Sequence, residues 1–145
     1  MAKKKTVIVI DDDPDVLEMI ASMLTTMGYR PSTASHATAA LRIFTMEPDY
    51  FDLAIVDQVM PGTTGVELAR QIRAVRPNTP IVLCTAFNDS LAMDEVKASG
   101  IQDLVLKPIV MDQLSRTIRQ ALARKPEPPT EAARAPAPNG AAAPA

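Results

Sequence analysis

The chain has 145 residues, which suits one folded domain with a sizeable buried core. A formal net charge of −2 at pH 7 gives no basic footprint for nucleic acid, and no apolar stretch approaches the length of a membrane span. The single cysteine, Cys84, excludes a disulfide within the chain and favours a reducing compartment, so we expect a cytoplasmic protein.

Strands and helices are predicted to alternate along the chain. The runs at 6–10, 53–56, 81–84 and 104–106 are purely apolar or nearly so, which is typical of strands buried on both faces of a parallel sheet. Residues 30–34 form a weaker strand, in which Pro31 suits only a sheet edge. Helical spacing of apolar residues predicts helices over 14–27, 37–44, 64–73, 90–99 and 111–123. The fold class is therefore α/β, with a single doubly wound, five-stranded parallel sheet of order 2-1-3-4-5, as in the flavodoxin-like fold.

The composition changes after Arg124. From Pro126 to Ala145 the chain is mostly proline and alanine and has no large apolar residue, so this stretch cannot bury enough surface to fold alone. We expect residues 1–4 to be an N-terminal extension, 5–124 to be the folded domain, and 125–145 to be a disordered tail.

Reactive side chains directly follow four of the five predicted strands. Asp11 and Asp12 follow the first strand, Asp57 the third, Thr85 the fourth and Lys107 the fifth. Because ligands bind outside the carboxyl ends of the strands in an open α/β sheet, we expect these groups to share one site.

This set of groups is suited to phosphoryl transfer. Clustered carboxylates repel each other, and Mg²⁺, which prefers oxygen ligands, compensates such charge well. An ammonium from Lys107 and a hydroxyl from Thr85 could stabilise a transferring phosphoryl group, and an aspartate can accept phosphate as an acyl phosphate. Asp57 is the best candidate acceptor because it stands alone at its strand end, whereas Asp11 and Asp12 come as a metal-holding pair.

At these residues the chain resembles the receiver domains of two-component response regulators over about residues 5–122. The resemblance rests on five separated motifs in the family's order, which together are highly specific. They are Val9-Ile10-Asp11-Asp12-Asp13, Asp57 with Met60-Pro61 and Gly65, Thr85-Ala86, Gly100, and Lys107-Pro108. The sequence from Asp57 to Gly62 is most similar to that of receiver domains fused behind hybrid histidine kinases.

The resemblance implies a magnesium site and a phosphoryl acceptor. Asp57 would accept the phosphoryl group. Asp12 would be a direct carboxylate ligand of Mg²⁺, with Asp11 acting largely through water. The backbone carbonyl of Val59 would complete the protein ligands, together with Asp57 itself.

The resemblance also implies how the phosphoryl group would be held. Thr85 would donate a hydrogen bond to it, Ala86 would be kept small for access, and Lys107 would pair with its oxygens. The peptide bond between Lys107 and Pro108 would be cis. Leu104 stands where the family usually has an aromatic residue that swings inward when the threonine engages phosphate. Leucine has no ring to rotate, so a smaller change is expected at this strand.

The partners follow from the same resemblance. The phosphodonor would be a phosphohistidine on a sensor histidine kinase or a histidine phosphotransfer protein. Output would be contact with another protein, or relay of the phosphoryl group. The family's usual output face is made by helix 4, strand 5 and helix 5, which here would offer Leu91, Met93, Val96, Ile101, Gln102, Leu104 and Gln113. We expect no contact with nucleic acid or membrane, and a monomer or a phosphorylation-dependent dimer. The protein would not be an enzyme beyond catalysing its own phosphoryl transfer and slow autodephosphorylation.

Three other functions fit the sequence less well. A haloacid-dehalogenase-type phosphatase needs Asp-x-Asp-x-Thr/Val, but the fifth position is Asp15 when counted from Asp11 and Leu17 when counted from Asp13. A nucleotide-binding module would need a glycine-rich phosphate loop after the first strand, which is lacking. A receiver-like interaction module that works without phosphorylation keeps the fold and stays an alternative.

Overall fold

The computed structural model describes residues 4–86 and 91–124. Five parallel strands form one sheet in the order β2-β1-β3-β4-β5, which confirms the predicted fold class and strand order. The elements are, in chain order, β1 (Thr6–Ile10), α1 (Pro14–Met27), β2 (Arg30–Ala34), α2 (Ala37–Met46), β3 (Leu53–Asp57), α3 (Gly65–Val75), β4 (Ile81–Thr85), α4 (Met93–Ala98), β5 (Asp103–Leu106) and α5 (Met111–Ala123).

Both faces of the sheet are covered, which explains why its central strands are apolar throughout. Alternate residues of a strand point to opposite faces, so Ile8 and Ile10 pack with α2, α3 and α4, whereas Val7 and Val9 pack with α1 and α5. Every residue of β1, β3 and β4 is buried. The strand that contains Pro31 lies at the edge, as predicted.

The ends of α1 follow from local chemistry. The side chain of Asp13 accepts a hydrogen bond from the backbone N–H of Asp15 at 2.9 Å, and Pro14 occupies the first turn. The helix stops at Gly28, whose φ of 96° is a left-handed conformation that glycine adopts without strain. The sequence predicted this helix correctly from end to end.

Several local features differ from the prediction, among them α2 and α3, which each end two residues later than predicted. A two-stranded antiparallel ladder, Val59–Met60 with Thr63–Thr64, follows β3 and was not predicted. It closes through Pro61 and Gly62, and the φ of 82° at Gly62 suits the second central position of a proline–glycine turn. In addition, α4 runs from Met93 to Ala98, whereas a helix was predicted over 90–99; residues 87–90 lie outside the described residues. The acidic residues Asp94 and Glu95 lie in its first turn, where their negative charge interacts favourably with the helix dipole.

The predicted output face needs a correction. Val96 and Ile101 were expected to present apolar surface, but both are buried in the core that packs under α4. Leu91 and Leu104 are half-buried against the same core, whereas Met93 is exposed. The apolar residues on this part of the fold therefore mostly serve packing.

The boundaries of the folded part stay a prediction. Residues 1–3 and the stretch 125–145, which was expected to be a disordered tail, lie outside the described residues. Within the described part of the chain, the helices are all too short or too polar to span a bilayer.

Candidate functional site

Three carboxylates meet where the neighbouring strands β1 and β3 end. Asp11 directly follows β1, and Asp57 is the last residue of β3. One carboxylate oxygen from each of Asp11, Asp12 and Asp57 lies within 4.8 Å of the others. Asp11 and Asp57 are buried and Asp12 is exposed, so the cluster opens to solvent on one side. The structure thus brings together the three aspartates that the sequence proposed as metal ligands.

The loop after β1 fixes the orientation of Asp11. Its Oδ1 accepts a hydrogen bond from the backbone N–H of Asp13 at 2.9 Å. Asp13 in turn caps α1 through Asp15, so the same short loop orients a site carboxylate and starts a helix. The remaining oxygen of Asp11, Oδ2, lies on the side of Lys107.

Lys107 supplies positive charge to the cluster. Its Nζ lies 2.5 Å from Oδ1 of Asp57 and 3.7 Å from Oδ2 of Asp11. The backbone N–H of Lys107 donates to the carbonyl of Thr85 at 2.9 Å, which ties the segment after β5 to the end of β4. The Lys107–Pro108 peptide bond is cis, as the resemblance implied. The ammonium therefore reaches Asp57 from two strands away.

Thr85 and Ala86 complete the same edge of the sheet. Thr85 is the last residue of β4 and is buried, and its hydroxyl donates to the carbonyl of Ala86 at 3.3 Å. Ala86 is half-buried. Since Asp57 pairs in register with Cys84, Thr85 lies one residue beyond Asp57 along the strand direction.

Burial and mutual repulsion set the electrostatics. Burial raises the pKa of Asp57, against the opposing effect of its hydrogen bond with Lys107, and the charge of Asp11 raises it further. Burial also raises the pKa of Asp11, against the opposing N–H of Asp13. Burial by itself would lower the pKa of the Lys107 ammonium, but its hydrogen bond with Asp57 and the nearby carboxylates raise it overall. One ammonium thus leaves the three carboxylates short of positive charge.

The donor set fits a hard divalent cation. Mg²⁺ is typically bound by one or two protein carboxylates and completes its shell with water and phosphate oxygens. The nearby thiol of Cys84, whose pKa burial raises to about 12, is a poor ligand because it stays protonated at neutral pH. Val59, proposed as a carbonyl ligand, lies two residues after Asp57 in the short ladder, with its side chain exposed. Oxygen ligands therefore dominate the site.

Two neighbouring residues were not assigned a role from the sequence. Gln58 is buried, and its Oε1 accepts a hydrogen bond from the backbone N–H of Val66 at 3.2 Å. Gly65, noted only as part of a motif, packs directly against the backbone of Asp57. A polar residue directly after an apolar strand was the available signal for Gln58, but its partner could be identified only from the fold.

Known proteins share this fold and site region. The family model for the response regulator receiver domain matches residues 7–119. The virulence sensor protein BvgS of Bordetella pertussis is 37% identical over 140 residues, with 90% of this chain and 11% of that protein covered. The transcriptional regulatory protein ZraR of Klebsiella oxytoca is 30% identical over 117 residues, with 81% of this chain and 26% of that protein covered. The chain thus spans only a small part of the length of these relatives.

Solved structures of receiver domain proteins are also similar to this chain. A response regulator receiver domain protein from Clostridium thermocellum is 30% identical, with a TM-score of 0.76, and the match covers 83% of this chain and 95% of that one. Chemotaxis protein CheY4 of Vibrio cholerae is 28% identical, with a TM-score of 0.75, over 83% of this chain and all of that one. Receiver domains are phosphorylation-dependent switches of two-component systems, bind Mg²⁺ at an acidic pocket, and interact with histidine kinases or phosphotransfer proteins. The chain belongs to the response regulator receiver domain family.

Proposed function

We propose that this chain is a signalling switch that accepts a phosphoryl group on Asp57, in a Mg²⁺-dependent reaction, from a phosphohistidine of a sensor histidine kinase or a histidine phosphotransfer protein. The observation that carries the proposal is the convergence of three carboxylates and one ammonium at one sheet edge, with Lys107 Nζ 2.5 Å from Asp57. A purely structural cluster of this kind would lose stability through repulsion and burial of charge.

The reaction would use Asp57 as the nucleophile. One carboxylate oxygen would attack phosphorus, the phosphorus–nitrogen bond of the phosphohistidine would break, and its electron pair would return to the imidazole nitrogen. The product would be an aspartyl phosphate. Mg²⁺, held by Asp11, Asp12, Asp57 and the carbonyl of Val59, would supply charge compensation for the phosphoryl oxygens.

The remaining groups would hold the product. Lys107 already lies beside Asp57, so it would pair with the phosphoryl oxygens that form there. The Thr85 hydroxyl, at the neighbouring strand end, would donate a hydrogen bond to one of them. Ala86 would leave space for the group because its side chain is a single methyl.

The output would be a contact with another protein, through α4, β5 and α5, or relay of the phosphoryl group to a further histidine. Met93 and Gln102 are exposed on that face. Similarity to a segment of a sensor protein supports the relay. The oligomeric state would be a monomer or a phosphorylation-dependent dimer. We also propose the cytoplasm as the compartment, since the single cysteine leaves no partner for a disulfide within the chain.

The test is labelling with acetyl phosphate in the presence of Mg²⁺, followed by intact-mass spectrometry. Wild-type protein should gain one phosphoryl group, and Asp57→Asn should gain none because an amide is a poor nucleophile. Asp49→Asn is the matched control, since the Asp49 side chain is 97% exposed and lies outside the cluster. Equal labelling of wild type and Asp57→Asn would place the acceptor elsewhere, and no labelling of any variant would favour an interaction module that works without phosphorylation.

A further inference from the structure

Gln58 is a buried polar residue directly beside the acceptor. Only 7% of its surface is exposed, although it follows the end of β3 at the rim of an acidic site. Its Oε1 accepts a hydrogen bond from the backbone N–H of Val66, the second residue of α3, at 3.2 Å. The first N–H groups of a helix have no partner within the helix, so Gln58 satisfies one of them from outside.

The main chain of Gln58 adds two further connections. Its N–H donates to the carbonyl of Cys84 at 2.9 Å, which continues the pairing of β3 with β4 beyond Asp57. Its carbonyl accepts from the N–H of Gly65 at 2.9 Å. One residue thus joins the acceptor strand, the neighbouring strand and the start of α3.

Gly65 allows this close approach of helix and strand. A Cβ at this position would lie 2.6 Å from the carbonyl oxygen of Asp57 and 3.0 Å from Cα of Gln58. Any other residue would therefore push the start of α3 away from the acceptor strand. The hydrogen bonds from α3 to Gln58 depend on this close contact, which is possible because Gly65 has no side chain.

The ladder at Val59 lies between the end of β3 and the start of α3, the two elements that Gln58 connects. Val59 is 61% exposed, so little packing against other residues holds its backbone in place. What holds it is the pairing with Thr64 and the closure of residues 58–66 by Gln58. A loop closed in this way needs less ordering when a ligand binds to it.

We propose that Gln58 is a positioning residue for the acceptor site: its side chain clamps the start of α3 to the end of β3 and so holds the Val59 backbone ready beside Asp57. The inference rests on the proposed function, in which the carbonyl of Val59 contributes to Mg²⁺ binding. It adds a role for a side chain that touches neither the metal nor the phosphoryl group.

The first measurement uses metal-free protein. Gln58→Met keeps the length and burial of the side chain but removes the acceptor for Val66. The amide of Val66 should then exchange about tenfold faster by NMR, because its hydrogen bond is lost. The amide of Glu67 donates a hydrogen bond to Oγ1 of Thr64 at 3.1 Å. Its exchange rate should stay unchanged, so it serves as an internal reference.

The second measurement is a Mg²⁺ titration followed by calorimetry. Gln58→Met should bind Mg²⁺ about fivefold more weakly, the factor that corresponds to one ordinary hydrogen bond. Thr79→Val is the matched control: it also removes a buried side-chain hydrogen bond at an end of α3, the one that Thr79 Oγ1 donates to the carbonyl of Arg76 at 2.8 Å, but at the end of the helix far from Asp57. It should bind Mg²⁺ with wild-type affinity. A merely structural role for Gln58 would weaken both variants alike.

A second variant guards against misfolding. Gln58→Asn keeps an amide but is one methylene shorter, so it should lose the same contact to Val66 with less disturbance of the core. Wild-type Mg²⁺ affinity in both Gln58 variants, with a lost Val66 bond, would overturn this inference and leave the proposed function intact. A wild-type protein that binds no Mg²⁺ would overturn the proposed function and the inference together.

Discussion

At the scale of single residues, the site is built from charge that the fold does not balance by itself. Asp11 and Asp57 are buried, and burial raises the pKa of both, while Lys107 is the one cation that pairs with them among the described residues. The charge of the exposed Asp12 raises the pKa of its two neighbours further. Asp12 therefore costs stability in the metal-free protein, and we attribute its place in the cluster to metal binding.

Replacing Asp12 by Ala should separate these two effects. Mg²⁺ affinity should fall by about 100-fold or more, since even residues that only support a metal ligand are worth 10- to 100-fold. The metal-free variant should unfold at the same temperature as wild type or a higher one, because one repulsive charge is gone. Titration calorimetry and thermal unfolding without Mg²⁺ measure both. Wild-type metal affinity in Asp12→Ala would remove Asp12 from the proposed ligand set.

At the scale of elements, the start of α3 depends on a contact that only glycine permits. A Cβ at Gly65 would lie 2.5 Å from Cδ1 of Leu83 and 2.6 Å from the carbonyl oxygen of Asp57. The leucine could shift, but the carbonyl belongs to the backbone of β3. The crowding therefore falls on β3 itself.

Gly65→Ala should destabilise the protein by about 1–3 kcal/mol, the usual cost of overpacking. It should also weaken Mg²⁺ binding, because α3 must move away from Asp57. Denaturant unfolding measures the first effect and calorimetry the second. Gln71→Ala is the control, since Gln71 is an exposed residue of the same helix. Unchanged stability in Gly65→Ala would contradict the tight packing.

The elements that the sequence predicted well are those with a long apolar pattern. The ends of α1 and α5 were both predicted correctly, because helical spacing of apolar residues repeats over several turns. The ladder at Val59–Met60 was missed because two-residue strands show no periodicity. Val96 was assigned to the output face because helix 4 belongs to that face in the family, but which side of this short helix is buried depends on its packing, and Val96 is buried. The partner of Gln58, eight residues away, depends on tertiary structure alone.

At the scale of the whole molecule, the proposed function requires activation to travel from Asp57 to the proposed output face. Leu104 would lie on that path, in β5, where it pairs in register with Leu83 and packs half-buried against the same core as Leu91. The receiver family usually has an aromatic side chain here that rotates on activation. Leucine can repack but has no ring to swing, so β5 should respond weakly.

Amide chemical shifts recorded before and after treatment with acetyl phosphate and Mg²⁺ test this expectation. Wild-type protein should show small changes over β5, and Leu104→Tyr should show larger ones, because a ring can then move between two positions. Leu106→Tyr is the control, as Leu106 is in the same strand but is exposed. Changes over β5 in wild type as large as those in Leu104→Tyr would contradict the weak response.

The central claim is that Asp57 accepts a phosphoryl group in a Mg²⁺-dependent reaction. The most direct test treats the protein with acetyl phosphate and Mg²⁺, reduces the acyl phosphate with borohydride, and maps the product by peptide mass spectrometry. Reduction converts an aspartyl phosphate into homoserine, which marks the position without dependence on a mutation. We predict homoserine at Asp57 alone, and none when a chelator removes Mg²⁺. Homoserine at Asp11 or Asp12, or at Asp57 without Mg²⁺, would contradict the account.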